Sequence, residues 1–160
     1  MLKEYNKEEI ESLISNCLAS LEIDKLNVAN ESLNVPFVSG KISTLLFDLN
    51  IYLIKYEQQL DKKEKELFEY YSGKSSPEVY KQKPFQIRII KSDIPKYINA
   101  DEDYQYLNFI IKTIKSQIDV LKSYLIIANN RGYNIKNYID ILKFENGINW
   151  NNYLIKIKLF

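Results

Sequence analysis

Two long heptad seams restrict the fold of this chain more than anything else in it. Ile42, Leu46, Leu49, Leu53, Tyr56, Leu60, Lys63, Leu67 and Tyr70 recur at alternating four- and three-residue steps without a break. Tyr104, Leu107, Ile111, Ile114, Ile118, Leu121, Leu125 and Ala128 repeat the same steps over nearly the same length. A mostly apolar stripe at this period keeps one side of a helix turned toward a partner. Two stripes of matched length satisfy each other when the helices pack antiparallel at a shallow angle. The chain has four Gly and four Pro, with 46% hydrophobic residues. Turn material is therefore too scarce for an all-β fold, and 160 residues suit one ordinary core. The predicted fold is mostly α with a small β excursion, as a single domain over 1–160.

Around the seams, Ile10, Leu13, Ile14, Cys17, Leu18 and Leu21 fall on one face of an N-terminal amphipathic helix within 1–26. Asn6 with Glu9 resembles a capping box, and Cys17 sits on the apolar stripe as a core residue. Asn27 to Gly40, with Pro36 inside it, reads as a connector. The first long helix is predicted over 41–72, closed by Ser72 and by Gly73, which suits the left-handed position after a last turn. Phe85, Ile87 and Ile89 alternate with Gln86 and Arg88 after Pro84, which predicts a short strand. A second strand around Tyr97 and Ile98 would complete a β-hairpin near 85–98, inside a basic excursion over 74–100. Asp101 reads as the N-cap of a second long helix, 102–129, ended by Asn130 and Gly132. A short helix over 134–146 follows, and in the tail 148–160 the alternation of Ile155, Ile157 and Leu159 with Lys156 and Lys158 predicts a strand.

Several function classes close on composition. The chain has no histidine and one cysteine, which removes an internal disulfide, a Cys/His zinc set and any His-based triad or general base. There is no Gly-rich phosphate loop, and the carboxylates fall on solvated helix faces. No catalytic residue, metal or cofactor is expected, and the chain is not read as an enzyme. The first residues lack a signal-peptide pattern, and no uncharged apolar run of about 18 residues follows. A soluble intracellular protein without a membrane partner is expected.

Charge is uneven. Residues 1–31 hold three lysines against seven acids, and residues 62–98 hold nine basic residues against five acids, a net +4. Within the basic region, Lys62, Lys63, Lys65 and Lys74 surround Tyr70 and Tyr71, and Arg88 with Lys91 extends the track if the excursion folds beside the helix end. Lysines neutralise phosphates and tyrosine rings stack bases, a combination that holds single strands without a sequence code. A solvated helix end laced with i, i+4 ion pairs would use the same residues.

The segment KEKELFEYYSGK, followed later by NNRGYNIKNYIDILKFENG, resembles the UvsY family of recombination mediators from T-even-type phages and their marine relatives. That family shows a Lys-rich helix ending in an acidic residue, Tyr-Tyr-Ser-Gly and a basic residue, then an Arg-Gly-aromatic, x-Ile-Lys and Phe-x-x-Gly pattern. Both motifs occur in order, and the helical pattern is similar from about Leu26 to Gly147.

The resemblance implies a non-enzymatic factor of the infected host's cytoplasm that binds single-stranded DNA as a ring-like homo-oligomer, a hexamer or heptamer. Its implied partners are a RecA-like phage recombinase and the phage single-strand-binding protein that the recombinase replaces, in recombination, repair and recombination-dependent replication. Lys65, Glu69, Tyr70, Tyr71, Ser72 and Gly73 fall on the family's DNA-binding motif, and Leu67 stands where its best-studied form has an arginine. Lys62, Lys63 and Lys74 lie one turn away. In the C-terminal motif Gly132, Ile135, Phe144 and Gly147 read as structural, leaving Arg131 and Lys136 as exposed cations for DNA. Apolar residues off the seams, Phe47, Ile51, Ile54, Ile126 and Ile127, would be exposed on a monomer and are read as oligomer contacts. The competing reading is a coiled-coil structural or adaptor protein that does not bind DNA.

Overall fold

The computed structural model describes residues 4–85, 87 and 89–145. Their regular structure is helical: α1 (Lys7–Ala19), α2 (Val28–Tyr71), α3 (Pro77–Gln82), a 3-10 turn at Lys91–Asp93, α4 (Ile94–Asn99) and α5 (Glu102–Glu145). The chain divides into two compact units. The first comprises the described residues of Met1–Leu45 and Leu121–Phe160, and the second is Leu46–Val120.

In the first unit, the Asn6 side chain caps α1 by accepting hydrogen bonds from the amides of Glu8 at 3.0 Å and Glu9 at 3.2 Å. These are donors that a helix start leaves unpaired. Ile10 and Cys17 are buried, whereas Leu13 and Leu18 of the same predicted stripe are exposed, so the covered face is narrower than the periodicity suggests. Burial raises the pKa of the Cys17 thiol, against a smaller opposing pull from Lys41. Val38, Ile42 and Leu45 of α2 and Leu121, Ala128 and Ile135 of α5 are the other buried apolar residues of this unit. The Ser39 hydroxyl donates to Asn129 Oδ1 at 3.2 Å.

Two predicted breaks in this unit do not occur. The connector expected over 27–40 is instead the first turns of α2, which continue through Pro36. A proline there removes the amide that would bond the Ser32 carbonyl and strains the preceding turn, at a cost of about 3 kcal/mol. Pro36 and Ser32 are both exposed, so water reaches the carbonyl, while burial of Val38 and Ile42 just beyond offsets the loss. Likewise α5 does not stop at Asn130 and Gly132. Gly132 is not in the left-handed region, and Ala128, Arg131 and Ile135 keep one helical face buried across it. The short helix predicted over 134–146 is the end of α5.

In the second unit, Leu49, Tyr56 and Leu67 of α2 and Ile110, Ile111, Ile114 and Ile118 of α5 are buried. Glu57 pairs with Lys115 at 2.8 Å and Lys63 with Asp103 at 2.6 Å. Numbers rise on one helix as they fall on the other, so the two segments run antiparallel. The end of α2 is a Schellman cap: Gly73 has φ +77°, the Lys74 amide bonds the Glu69 carbonyl at 2.8 Å, and the Gly73 amide bonds that of Tyr70 at 3.2 Å.

The β-hairpin predicted near 85–98 is overturned: among the described residues there is no strand, and the fold class is helical. Tyr97 and Ile98 lie in α4, which Pro95 starts with its fixed φ. Ile94 and Ile98 project from α4 onto Leu67. Ile87 is exposed although Phe85 and Ile89 are half-buried, so the alternation there marks no single buried face. An isolated two-stranded hairpin would be marginal in any case. The strand expected in the tail 148–160 lies outside the described residues. The apolar character of α2 exceeds what the sequence reading anticipates. An 18-residue window of it reaches a mean hydropathy of 1.3 with only 22% of it buried, which by length and composition alone is enough to cross a membrane.

Candidate nucleic-acid interface

The end of α2, the loop after it and α3 assemble an aromatic cluster in the second unit. Tyr70 stacks on Tyr80 with centroids 5.4 Å apart and planes 18° from parallel, and it meets Tyr71 edge-on at 5.1 Å. Phe85 lies 5.6 Å from Tyr70 and 5.4 Å from Tyr71, and Tyr97 of α4 lies 5.5 Å from Tyr71. Offset and edge-on pairs of this kind add about 0.5–1.5 kcal/mol each beyond area burial. Hydroxyl groups fix the arrangement. The Tyr80 hydroxyl donates to the Tyr70 carbonyl at 2.7 Å and accepts from the Ser75 amide at 3.3 Å, while the Tyr70 hydroxyl donates to the Lys83 carbonyl at 3.0 Å. Burial first, then the Asp101 carboxylate, raises the pKa of the Tyr71 phenol. The tyrosines that the sequence suggests as a free stacking surface are thus packed largely against one another.

Beside this cluster opens a pocket of about 750 Å³, whose wall includes Leu67, Tyr70, Tyr71, Val79, Lys74 and Lys83. Leu67, which the sequence comparison sets against an arginine in the best-studied form of the motif, points inward and is only 8% exposed, packed with Ile94 and Ile98. An arginine could not take that place without reshaping this core, so any phosphate contact falls to neighbouring lysines.

The predicted site residues separate into distinct environments. Lys62 and Lys65 are exposed and sit 3.9 Å from Glu66 and Glu69, pairs too loose and solvated to hold them firmly. Lys74 is exposed, with its ammonium 5.8 Å above the Phe68 ring, and Lys91 is exposed as well. Lys63 differs. Its side chain is 19% exposed and bridges Asp103 at 2.6 Å and Asp101 at 3.5 Å. Burial works to lower its pKa, but the hydrogen bond to Asp103 and the two carboxylate charges outweigh it, and the net shift is upward. The same hydrogen bond, and then the charge of Lys63, lowers the Asp103 pKa. Asp101 also accepts the Tyr104 amide at 3.1 Å at the start of α5. Lys63 is therefore a strut between α2 and the first turn of α5.

Arg131 is a correction of the same kind. Expected as an exposed cation, it is 3% exposed. Its guanidinium donates to the Ser20 carbonyl at 2.7 Å and the Glu22 carbonyl at 2.8 Å, and it pairs closely with the Glu31 carboxylate. It joins the turn after α1 and the start of α2 to α5 within the first unit. Lys136, also in the first unit, is exposed, and Arg88 lies outside the described residues.

Tyr80, Phe85, Tyr97, Lys81 and Lys83 do not stand out as site residues in the sequence. Ser76-Pro77-Glu78 is a helix-start signal that would have put Tyr80 and Lys81 on a short helix. Nothing in the sequence pattern pairs Tyr97 with Tyr71. Among the residues read as oligomer contacts, Phe47, Ile54, Ile126 and Ile127 are exposed, and Ile51 is half-buried.

Residues 18–148 match the family model described as "Recombination, repair and ssDNA binding protein UvsY". Among solved structures, crystal forms of the bacteriophage T4 recombination mediator protein UvsY share this fold. One is 20% identical, covers 89% of this chain and 98% of its own, and superposes with a TM-score of 0.74. A second is 21% identical at 84% and 98% coverage with a TM-score of 0.74, and a third 19% identical at 85% and 98% with 0.70. At such identities the likeness concerns the fold alone. Among curated proteins none matches.

Proposed function

The chain belongs to the UvsY family of recombination, repair and single-stranded-DNA-binding proteins, and from that premise we propose that it is a non-enzymatic recombination mediator. It binds single-stranded DNA as a ring-like homo-oligomer, a hexamer or heptamer, and promotes loading of a RecA-like recombinase onto DNA coated by single-strand-binding protein. It acts in recombination, repair and recombination-dependent replication, in the host cytoplasm. The family match runs through both compact units, which supports treating them as one functional domain.

The observation that carries the DNA-binding reading is the basic, aromatic end of α2 on the family's motif. Lys62, Lys65 and Lys74 are exposed there, with Lys81, Lys83 and Lys91 added from the following segment. Each subunit supplies only a modest excess of positive charge, so affinity comes from repeating the patch around an oligomer on one strand. Phe47, Ile51, Ile54, Ile126 and Ile127 are the contacts proposed to hold that oligomer.

The test is fluorescence anisotropy with labelled single-stranded and duplex oligonucleotides over a salt series, for the parent and for Lys62→Ala/Lys65→Ala/Lys74→Ala. The parent is expected to prefer single strands. The variant's logarithmic salt slope is expected to be shallower than the parent's by about 0.7 for each phosphate contact it loses. Absence of binding at low salt would leave the adaptor reading.

A further inference from the structure

The pocket beside the aromatic cluster is not built to hold a phosphate. Three ammonium groups line it, Lys63, Lys74 and Lys83, and so do three carboxylates, Glu66, Glu69 and Asp101. The charges balance, and Lys63 is already committed to the two aspartates. A phosphate moved inside would give up hydration, meet acceptor-only carboxylates and gain no net attraction. Lys62, Lys65 and Lys81 lie outside this lining, where an anion keeps its water and still gains their attraction. The rest of the wall is apolar or amphipathic: Leu67, Tyr70, Tyr71 and Val79, with the Gln82 amide beside them. Such a cavity suits a flat, uncharged heterocycle whose edge carries both donors and acceptors. Carboxylates accept from amino groups on base edges, and ammonium and amide groups donate to ring nitrogens and carbonyls.

We infer that this pocket receives an unstacked nucleobase of the bound strand, while the phosphates run outside it on Lys62, Lys65 and Lys81, with the exposed Lys74 and Lys83 shared between the wall and the outer surface. The inference rests on the single-strand-binding reading and deepens it. It also gives that reading a physical source for strand preference, because a base in a duplex is stacked and paired and reaches such a pocket only after the unfavourable step of extrusion.

The experiment compares a labelled single-stranded oligonucleotide with one of equal length in which alternate nucleosides are abasic, so that phosphate number is unchanged. The parent protein is expected to bind the abasic strand about tenfold or more weaker, in keeping with the range for single base contacts, at an unchanged salt slope. Val79→Trp and Gln82→Trp, two exposed positions on α3 and the pocket wall, fill the space from outside the core. Either variant that retains the parent's helical circular dichroism is expected to bind both strands at the parent's abasic affinity. Equal parent affinity for the two strands would overturn the base pocket and leave single-strand binding intact as a phosphate-only interaction. Undiminished discrimination by both folded variants would overturn the pocket in the same way. Failure of the parent to bind either strand would remove the single-strand-binding reading, and the pocket assignment with it.

Discussion

Arg131 and Lys63 are both cations whose charge is used inside the protein. Arg131 is held by two carbonyls and the Glu31 carboxylate, and truncating it strands Glu31 beside a cavity. Breaking one side of a buried pair costs about 3–5 kcal/mol, because the remaining charge loses its partner. Glu31 keeps some access to water, with 17% of its side chain exposed, so Arg131→Ala should fall near the lower end, about 3 kcal/mol, read as a reduced urea midpoint. Under conditions where the variant is folded, its single-strand salt slope should equal the parent's, since this buried guanidinium is already held by partners within the chain. A drop in slope without a loss of stability would reverse the assignment. Arg131 looks like a surface cation in the sequence because charge type and position on a helix do not report what lies opposite, whereas Lys63 stands on the first seam, where its position, though not its charge, points toward the partner helix. Leu67 is the reverse case. As a seam residue it is legible as core, and its contact with Ile94 and Ile98 explains why an apolar side chain stands at that position.

At the scale of the element, two glycines beside helical segments have opposite roles. Gly73 occupies the left-handed region that closes α2, and a side chain there meets its own carbonyl at a cost of about 1–2 kcal/mol. Gly132 is inside α5, and an added Cβ would meet nothing within 4 Å. Thermal unfolding should therefore show Gly73→Ala destabilised and Gly132→Ala stabilised by about 1 kcal/mol, the difference in helix propensity. Equal signs would mean that one of the two conformations is misassigned. The sequence marks both glycines as stops because glycine serves equally as a cap and as a tolerated interior residue. What separates them is burial of the residues beyond: Ile135 is buried after Gly132, whereas Lys74 is exposed after Gly73. Pro36 belongs with Gly132, a local break carried through by packing on either side. The absent hairpin has a related cause, since Ile94 and Ile98 gain burial on Leu67 from a helical turn that satisfies its own backbone bonds.

For the whole molecule, apolar surface outside the core is the feature on which the proposed assembly rests. Phe47 and Ile54 are 64% and 56% exposed, with Ile51 on the same helical face by spacing, and burying such side chains contributes about 1.5–3 kcal/mol each. Phe47→Asp/Ile54→Asp is expected to shift the sedimentation profile toward the monomer and to weaken single-strand binding at least tenfold without loss of helical signal, because each subunit alone offers few phosphate contacts. A monomeric variant that bound single strands as tightly as the parent would separate DNA binding from assembly. The apolar window of α2 admits a second outcome, retention of the parent on lipid vesicles, which would assign that surface to a membrane instead.

The amino-acid sequence by itself determined the two seams, the cap at Asn6, the stop at Gly73, the family and the basic, tyrosine-rich end of α2. These follow from periodicity, local hydrogen bonding and residue order, all of which act over a few turns of chain. The continuity of α2 and α5 through Pro36 and Gly132, the burial of Arg131, the pairing of Lys63 with Asp101 and Asp103, and the gathering of Tyr80, Phe85 and Tyr97 around Tyr70 and Tyr71 were decided only by tertiary structure. Each depends on a neighbour distant along the chain, and the burial or charge pairing that neighbour supplies outweighs a local preference of at most a few kcal/mol.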